Sequence, residues 1–283
     1  MPEQRRTLEA TAADGPVGTV TELWRYPVKS MAGERLERAM VRPGIGIHGD
    51  RCNAVEDLGT GKLLSAKTVP AMLTARARIE PADGRVVIEL PDGTQHDAAA
   101  CDAALSEWLD RPVRLRACDD GSVWHFDRAI EPIPGSAVES MSTQPGSFFD
   151  TKSPIHLLTL QSIASCQTLV PHAVLDPRRF RPNLLVDAPG TEYPEDDWID
   201  ATLRLGEALL WVRREATRCV IPAREHLGGL PADPRIFYAI AQSRGNALGI
   251  RLNPTRSGMV YVGQPVMVQD HDGPPAEFAH LRR

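Results

Sequence analysis

Apolar residues in the first half of the chain alternate with polar ones in short runs broken by turn residues, the period-two signature of half-buried strands. The runs 17–26 and 36–41 predict strands, the first carrying Val20, Leu23 and Trp24. Two further pairs read as hairpins: 52–56 with 62–66 around Asp57-Leu58-Gly59-Thr60-Gly61, and 74–80 with 85–90 around Pro81-Ala82-Asp83-Gly84. From Ala98 to Leu109 the apolar spacing becomes helical, with a start near Asp97, and 112–116 returns to a strand. Residues 127–150 lose the pattern and gather three prolines and two glycines, which predicts a long connecting loop. The second half predicts a strand at 155–160, a helix over 161–169 capped by Ser162, a strand at 184–186 and an acidic turn around Trp198. A hairpin of 202–205 with 209–214 around Gly206-Glu207, a helix over 234–243 and strands at 249–252, 259–261 and 266–268 follow. There is no internal repeat. Many short strands with few helices predict an α+β, β-rich protein, built as barrels.

The length of 283 residues allows one large domain or two medium ones. A net charge of −5 gives no reason to expect a nucleic-acid partner, although a local basic pocket remains compatible with it. No run approaches the roughly 18 apolar residues of a membrane span, and no apolar segment follows Met1–Arg6 as in a signal peptide. Five cysteines, at 52, 101, 118, 166 and 219, contain no C-x-x-C and no iron–sulfur run, and their spacing fits a reducing, cytoplasmic compartment. Residues 1–16 and 271–283 read as flexible tails.

Several segments carry candidate chemistry. Gly44-Ile45-Gly46-Ile47-His48-Gly49 matches a dinucleotide fingerprint in letters, but it follows Pro43 and precedes a strand, so it reads as a turn delivering Asp50 and Arg51. Gly59-Thr60-Gly61-Lys62 lacks both the first glycine and the Ser/Thr of a phosphate loop and stays a hairpin. In Tyr26-Pro27-Val28-Lys29-Ser30-Met31, Pro27 ends strand pairing, and Lys29 and Ser30 suit phosphate oxygens, with Arg51 as a second donor; a solvated turn is the plainer alternative. Arg178-Arg179-Phe180-Arg181-Pro182-Asn183 offers either an anion clamp or a solvated charged turn, with Asn183 able to read a heterocycle edge. Cys219 follows Arg218. It is either a small buried hydrophobe or a thiolate for metal ligation or nucleophilic attack, with His226 a weak candidate partner and His125 a structural or exposed residue.

Trp24–Ser30 with Gly49-Asp50-Arg51, the segment Ser153–Thr159, Phe180-Arg181-Pro182-Asn183, Thr217-Arg218-Cys219, and the tail 249–254 with Gly263-Gln264-Pro265-Val266 resemble, in this order and spacing, the MOSC family. Within it the likeness is to the amidoxime-reducing branch, mitochondrial and bacterial. The resemblance covers most of the chain. It implies an N-terminal MOSC β-barrel domain over 17–126, a connecting loop over 127–150 and a MOSC β-barrel domain over 151–270. It also implies a molybdenum–molybdopterin cofactor between the two, with Cys219 as metal ligand and catalytic residue. Lys29, Ser30 and Arg51 would hold its phosphate and pterin, and Ser153, Arg181, Asn183, Thr217 and Arg218 would complete the pocket. The implied reaction is reduction of small N-oxygenated compounds, with electrons from a separate donor protein of the ferredoxin or cytochrome b5/flavin reductase type. The alternative is a carrier of molybdenum cofactor or of sulfur, with Cys219 as persulfide. Met31 after Lys-Ser and Arg251 depart from some relatives, so the substrate-facing wall is expected to differ.

Overall fold

Gly18–Arg25 lies beside strands from the far end of the chain. In the computed structural model, which describes residues 15–119, 121–190, 192–270 and 272–281, it pairs with both Pro265–Asp270 and Leu184–Asp187. Between those two strands run Ile155–Thr159, Ala247–Arg256, Ala208–Thr217 and Thr202–Leu205, so seven strands among the described residues close a barrel. Neighbours are antiparallel except Ile155–Thr159 with Leu184–Asp187. That parallel pair needs a crossover, supplied by a connection containing the helix Leu160–Leu169.

The barrel's apolar runs follow from covering both faces. Leu157, Leu184 and Val186 join Val20, Leu23, Leu203, Leu210, Ile250 and Leu252 in one core. The alternate residues Leu158 and Leu185 belong to another, where Cys166 of Leu160–Leu169 and Ile236 and Ile240 of the helix Pro234–Arg244 cover them. Burying each such Leu or Ile contributes about 1.5–3 kcal/mol, which is why alternation fades in these strands.

The first half forms a five-stranded sheet in the order Val113–Ala117, Asn53–Asp57, Lys62–Leu63, His125–Ala129, Val138–Ser142, and a three-stranded sheet of Arg76–Ile79, Val86–Glu89 and Gln95–Asp97. Both expected hairpins are present. The two halves interlock further, because Arg38–Arg42 pairs with Gly258–Tyr261. No described helix is long and apolar enough to cross a membrane.

Four expectations are corrected. The first helix begins at Asp102, because Asp97 ends a strand and its carboxylate accepts from the Ala99 amide at 2.8 Å. The second is capped by Thr159, whose hydroxyl accepts from Ser162 N–H. Residues 127–150 are not an unbroken loop. His125–Ala129 and Val138–Ser142 pair there, and Phe148 buries with Phe126 and Leu63. The C-terminal stretch is also ordered where described, with Phe278 stacked on Trp211 at 5.6 Å and the Leu281 carbonyl accepting from Arg213. Residues 1–14 of the expected N-terminal tail lie outside the described residues.

Candidate functional site

Three residues in left-handed backbone line one pocket between the barrel and the first half: Ser30 (φ 71°), Arg51 (φ 49°) and Arg181 (φ 55°). Non-glycine residues enter this region at a cost, and they concentrate where surrounding contacts over-determine them. The contacts here are specific. Ser30 Oγ accepts from the Ala66 amide at 2.9 Å. Arg51 N–H donates to the Tyr26 carbonyl at 2.7 Å, just after Gly49, where an added Cβ would lie 2.6 Å from Ile79 Cδ1. Arg181 closes the short 3-10 helix Pro177–Phe180 and donates to the Arg178 carbonyl. The glycine-rich segment therefore acts as a turn placing Asp50 and Arg51, and the strand Asn53–Asp57 follows it, as the sequence suggested.

Arg181 and Arg51 both lie over the Tyr26 ring, with Cζ 4.2 and 4.7 Å from its centroid. Arg181 reaches into the first half and donates through Nη1 to the Met31 carbonyl. Tyr26 returns the contact, donating to the Pro182 carbonyl at 3.0 Å. From the barrel side, the strand Ala208–Thr217 ends at Thr217, and Cys219 sits partly exposed in the turn before the 3-10 segment Ile221–Ala223. Arg218 donates to the carbonyls of Ala216 and Phe180, and its buried Nη2 has no partner.

The charge in this pocket is unbalanced. Lys29, Lys67, Arg51, Arg181, Arg218 and Arg251 line it. Asp50 is taken by Arg51, and Asp150 at the mouth pairs with Lys67. Burial pushes the Lys29 ammonium down to about 8, with Asp150 opposing and Lys67 reinforcing the shift. Burial, then the Arg51 charge, lowers Arg181 to about 10, and burial lowers Arg251 to about 10. Arg218 is lowered by burial and by Arg251. Lys67 moves the other way, because Asp150 and the Cys219 sulfur outweigh its burial. Cations strained in this way are relieved by a bound anion. A Cys219 thiolate would act electrostatically on Lys67, Arg181, Arg218, Arg224 and Arg251.

Lys29, Ser30, Arg51, Arg181, Thr217, Arg218 and Cys219 thus meet around one cavity, and Ser153 and Asn183 do not line it. Asn183 is buried behind the pocket, with Oδ1 accepting from His156 N–H and Nδ2 donating to Asp50 at 3.0 Å, so it positions Asp50 rather than reading a ligand. Ser153 Oγ accepts from Arg213 at 3.4 Å. The three arginines of the charged segment have different partners. Arg178 pairs with Asp176 at 2.7 Å, and Arg179 is buried and donates to the carbonyls of Val174, Pro222, Arg224 and Pro231. Arg179 and Arg181 both line the pocket without a carboxylate partner, but the donors of Arg179 are spent on carbonyls of its own surroundings, whereas Arg181 reaches across to the Met31 carbonyl. His226 bonds to the Ile221 carbonyl, and burial lowers it to about 4, so it is no base for Cys219.

Sequence reasoning missed Lys67, Asp150 and Phe148. Lys67 follows Leu64-Ser65-Ala66 with no motif around it, and Asp150 lay in a stretch taken for linker. Among the described residues no group of three or more His, Cys, Asp or Glu is arranged to hold a metal, so a soft metal here would take one protein sulfur and bring its other ligands with it. An anionic ligand with such a metal fits the donor set: one thiol, an unpartnered buried guanidinium nitrogen and several unneutralised cations.

The model of the MOSC N-terminal beta barrel domain matches residues 17–124, and that of the MOSC domain matches 144–267. A molybdenum cofactor sulfurase of Oryza sativa subsp. japonica is 28% identical over 229 residues, 69% of this chain and 27% of that protein, so the chain spans about a quarter of its length. Mitochondrial amidoxime-reducing component 1 of Mus musculus is 22% identical over 244 residues, covering 78% of this chain and 68% of that protein. Among solved structures, the YuaD protein from Bacillus subtilis aligns over 89% of this chain and 97% of its own, with a TM-score of 0.46 and 12% identity. With both domain models matched in tandem, the chain belongs to the MOSC family.

Proposed function

We propose that the pocket holds a molybdenum–molybdopterin cofactor through Cys219 and that the loaded protein reduces N-oxygenated compounds. The observation that carries this reading is the meeting of one partly exposed thiol with a surplus of buried cations. A thiolate suits a soft metal, and the cations suit the phosphate of the pterin side chain. Lys29, Ser30 and Arg51 would face that phosphate from the first half, and Arg181, Thr217 and Arg218 would close the pocket from the barrel. Asn183 supports it from behind through Asp50, whereas Ser153 bonds to Arg213, outside the pocket. When bound, the cofactor supplies two-electron oxygen-atom chemistry.

The balance of the reaction is R–NHOH + 2 e⁻ + 2 H⁺ → R–NH₂ + H₂O: the N–O bond breaks, an N–H bond forms, and water leaves. The chain's own residues bind and orient, and the electrons come from a separate donor protein of the ferredoxin or cytochrome b5/flavin reductase type, in the cytoplasm. The test is turnover of benzamidoxime with a chemical reductant by protein purified from a host that makes molybdenum cofactor. No turnover by metal-loaded protein sinks the enzyme reading.

A second reading, a carrier of molybdenum cofactor or sulfur, is favoured by the partial exposure of Cys219 and the likeness to a stretch of the rice sulfurase. It predicts cofactor that passes readily to an apo-enzyme, or a persulfide on Cys219 detected by mass spectrometry.

A further inference from the structure

Lys29 and Lys67 enter the pocket from separate segments, yet both ammoniums are satisfied by one short stretch of chain. Lys29 Nζ donates to the Phe148 carbonyl at 2.8 Å, and Lys67 Nζ pairs with the Asp150 carboxylate. Both also lie over the same Phe126 ring, 4.6 and 4.8 Å from its centroid. The two lysines are buried, whereas the Asp150 side chain is 32% exposed at the pocket mouth.

The stretch is held on both sides of Asp150: the Phe149 carbonyl accepts from Gln144 N–H at 2.9 Å, and Thr151 Oγ1 accepts from Ser153 N–H at 3.3 Å. The Phe148 ring is buried with Ala54, Leu63 and Phe126, and Asn253 Nδ2 donates to the Lys152 carbonyl at 2.8 Å. Among the described residues no backbone hydrogen bond holds Asp150 or Thr151. The cavity beneath is about 100 Å³, against the roughly 300–1,000 Å³ of sites for drug-sized ligands. A phosphate group fits that space, and Phe148, Phe149, Asp150 and Thr151 form part of its lining.

We propose that Lys67 is a second ammonium of the anion site, and that Asp150 occupies the place of the ligand's phosphate until a phosphate monoester displaces it toward solvent. The proposal rests on the anion-site reading of the pocket above. Asp150 spreads one negative charge over both lysines, pairing directly with Lys67 and acting on Lys29 from beyond hydrogen-bond reach, while Lys29 donates to a neutral carbonyl. A phosphate dianion offers two charges and three acceptor oxygens to both lysines at once, in a site where charge-assisted hydrogen bonds are strong. Displacement also moves part of the lining, which widens the cavity around the ligand.

The test uses the full chain from a host lacking molybdenum-cofactor synthesis, with inorganic phosphate as probe. Calorimetry on Asp150→Asn should show binding tightened about tenfold, because the open form no longer competes with an internal anion. Lys67→Met should weaken binding by about tenfold or more, and adding Asp150→Asn to it should then give a smaller gain than in the wild-type background, since the direct pair of Asp150 is Lys67. In the wild type, which needs no variant to fold, phosphate should lower hydrogen-exchange protection of the Gln144 and Phe149 amides, which donate to the Phe149 carbonyl and to Ser147 Oγ. Unchanged affinity in Asp150→Asn, an equal gain from Asp150→Asn in the Lys67→Met background, or a segment that becomes more protected with phosphate would each overturn the proposal. Phosphate alone is the probe, so failure here leaves the molybdenum reading standing, and a metal-free protein in a cofactor-making host leaves this result standing.

Discussion

The guanidinium of Arg181 stacks on the ring of Tyr26, with Cζ 4.2 Å from the centroid, while the Tyr26 hydroxyl donates to the carbonyl of Pro182 next door. One side chain from the N-terminal strand region thereby fixes a barrel arginine at the pocket. Replacing the ring should loosen the arginine without removing it. Tyr26→Leu is expected to weaken sulfate binding roughly three- to thirtyfold, the range of a desolvated cation–π contact. Tyr26→Phe keeps the stack and loses the hydroxyl. Its sulfate affinity, read by calorimetry, should stay near wild type, while thermal unfolding shows a loss of about 1 kcal/mol.

Lys29 sets a pH dependence for anion binding. Its ammonium titrates at about 8 because it is buried. Below that pH it is charged and attracts an anion, and above it the attraction is lost. Sulfate keeps its own charge over the range from about pH 6.5 to about pH 9.5, so it reports the protein alone. Its dissociation constant should be flat below pH 8 and rise by up to about tenfold per pH unit above it. Lys29→Met should bind weakly with no inflection near 8, and a wild-type profile without that inflection would count against Lys29.

Arg179 makes a contrasting case in the same run of sequence. It is buried, and its donors satisfy four carbonyls, two of which, Pro222 and Arg224, belong to the turn that follows Cys219. Arg179→Gln leaves several of those acceptors unpaired, at about 1–3 kcal/mol each. Chemical denaturation should show a loss of at least about 3 kcal/mol, whereas Arg178→Gln, at a partly exposed pair with Asp176, should cost under about 1 kcal/mol.

Much of this was legible in the chain and some was not, for physical reasons. The alternation of 17–26 revealed a strand, but not its place in the barrel, because its partners lie far away in sequence; Tyr26 and Pro182 are 156 residues apart. Lys29, Arg51 and Cys219 stood out because charged or nucleophilic residues flanked Pro or Gly turns. Lys67 and Asp150 carried no pattern, since a lysine after an apolar run and an aspartate in a Pro- and Gly-rich stretch look like solvated surface. Asn183 was read as a ligand donor because an amide offers both polarities, and here the backbone and Asp50 use both. The left-handed backbone at Ser30, Arg51 and Arg181 left no trace, because only glycine announces that conformation in sequence.

Acid stability should follow the buried histidines. Burial lowers His226 from an ordinary value near 6.5 to about 4, and burial with the Arg218 and Arg251 charges holds His156 well below its usual range. The unfolded chain takes up these protons first, so stability is full above about pH 6.5 and falls as pH drops toward 4. The slope is at most about 1.4 kcal/mol per pH unit for each histidine. Denaturation curves of His226→Gln should be flatter by one such contribution across that window, and a slope equal to wild type would show that His226 is not neutral in the folded protein.

The most direct measurement is molybdenum content per chain, by elemental mass spectrometry, in protein from a host that makes molybdenum cofactor. Wild type and Cys118→Ser, a change at an exposed cysteine away from the pocket, should carry close to one molybdenum per chain, and Cys219→Ser should carry almost none while unfolding at the temperature of cofactor-free wild type. Molybdenum retained by Cys219→Ser at the wild-type level would contradict the assignment of Cys219 as the protein's ligand to the metal.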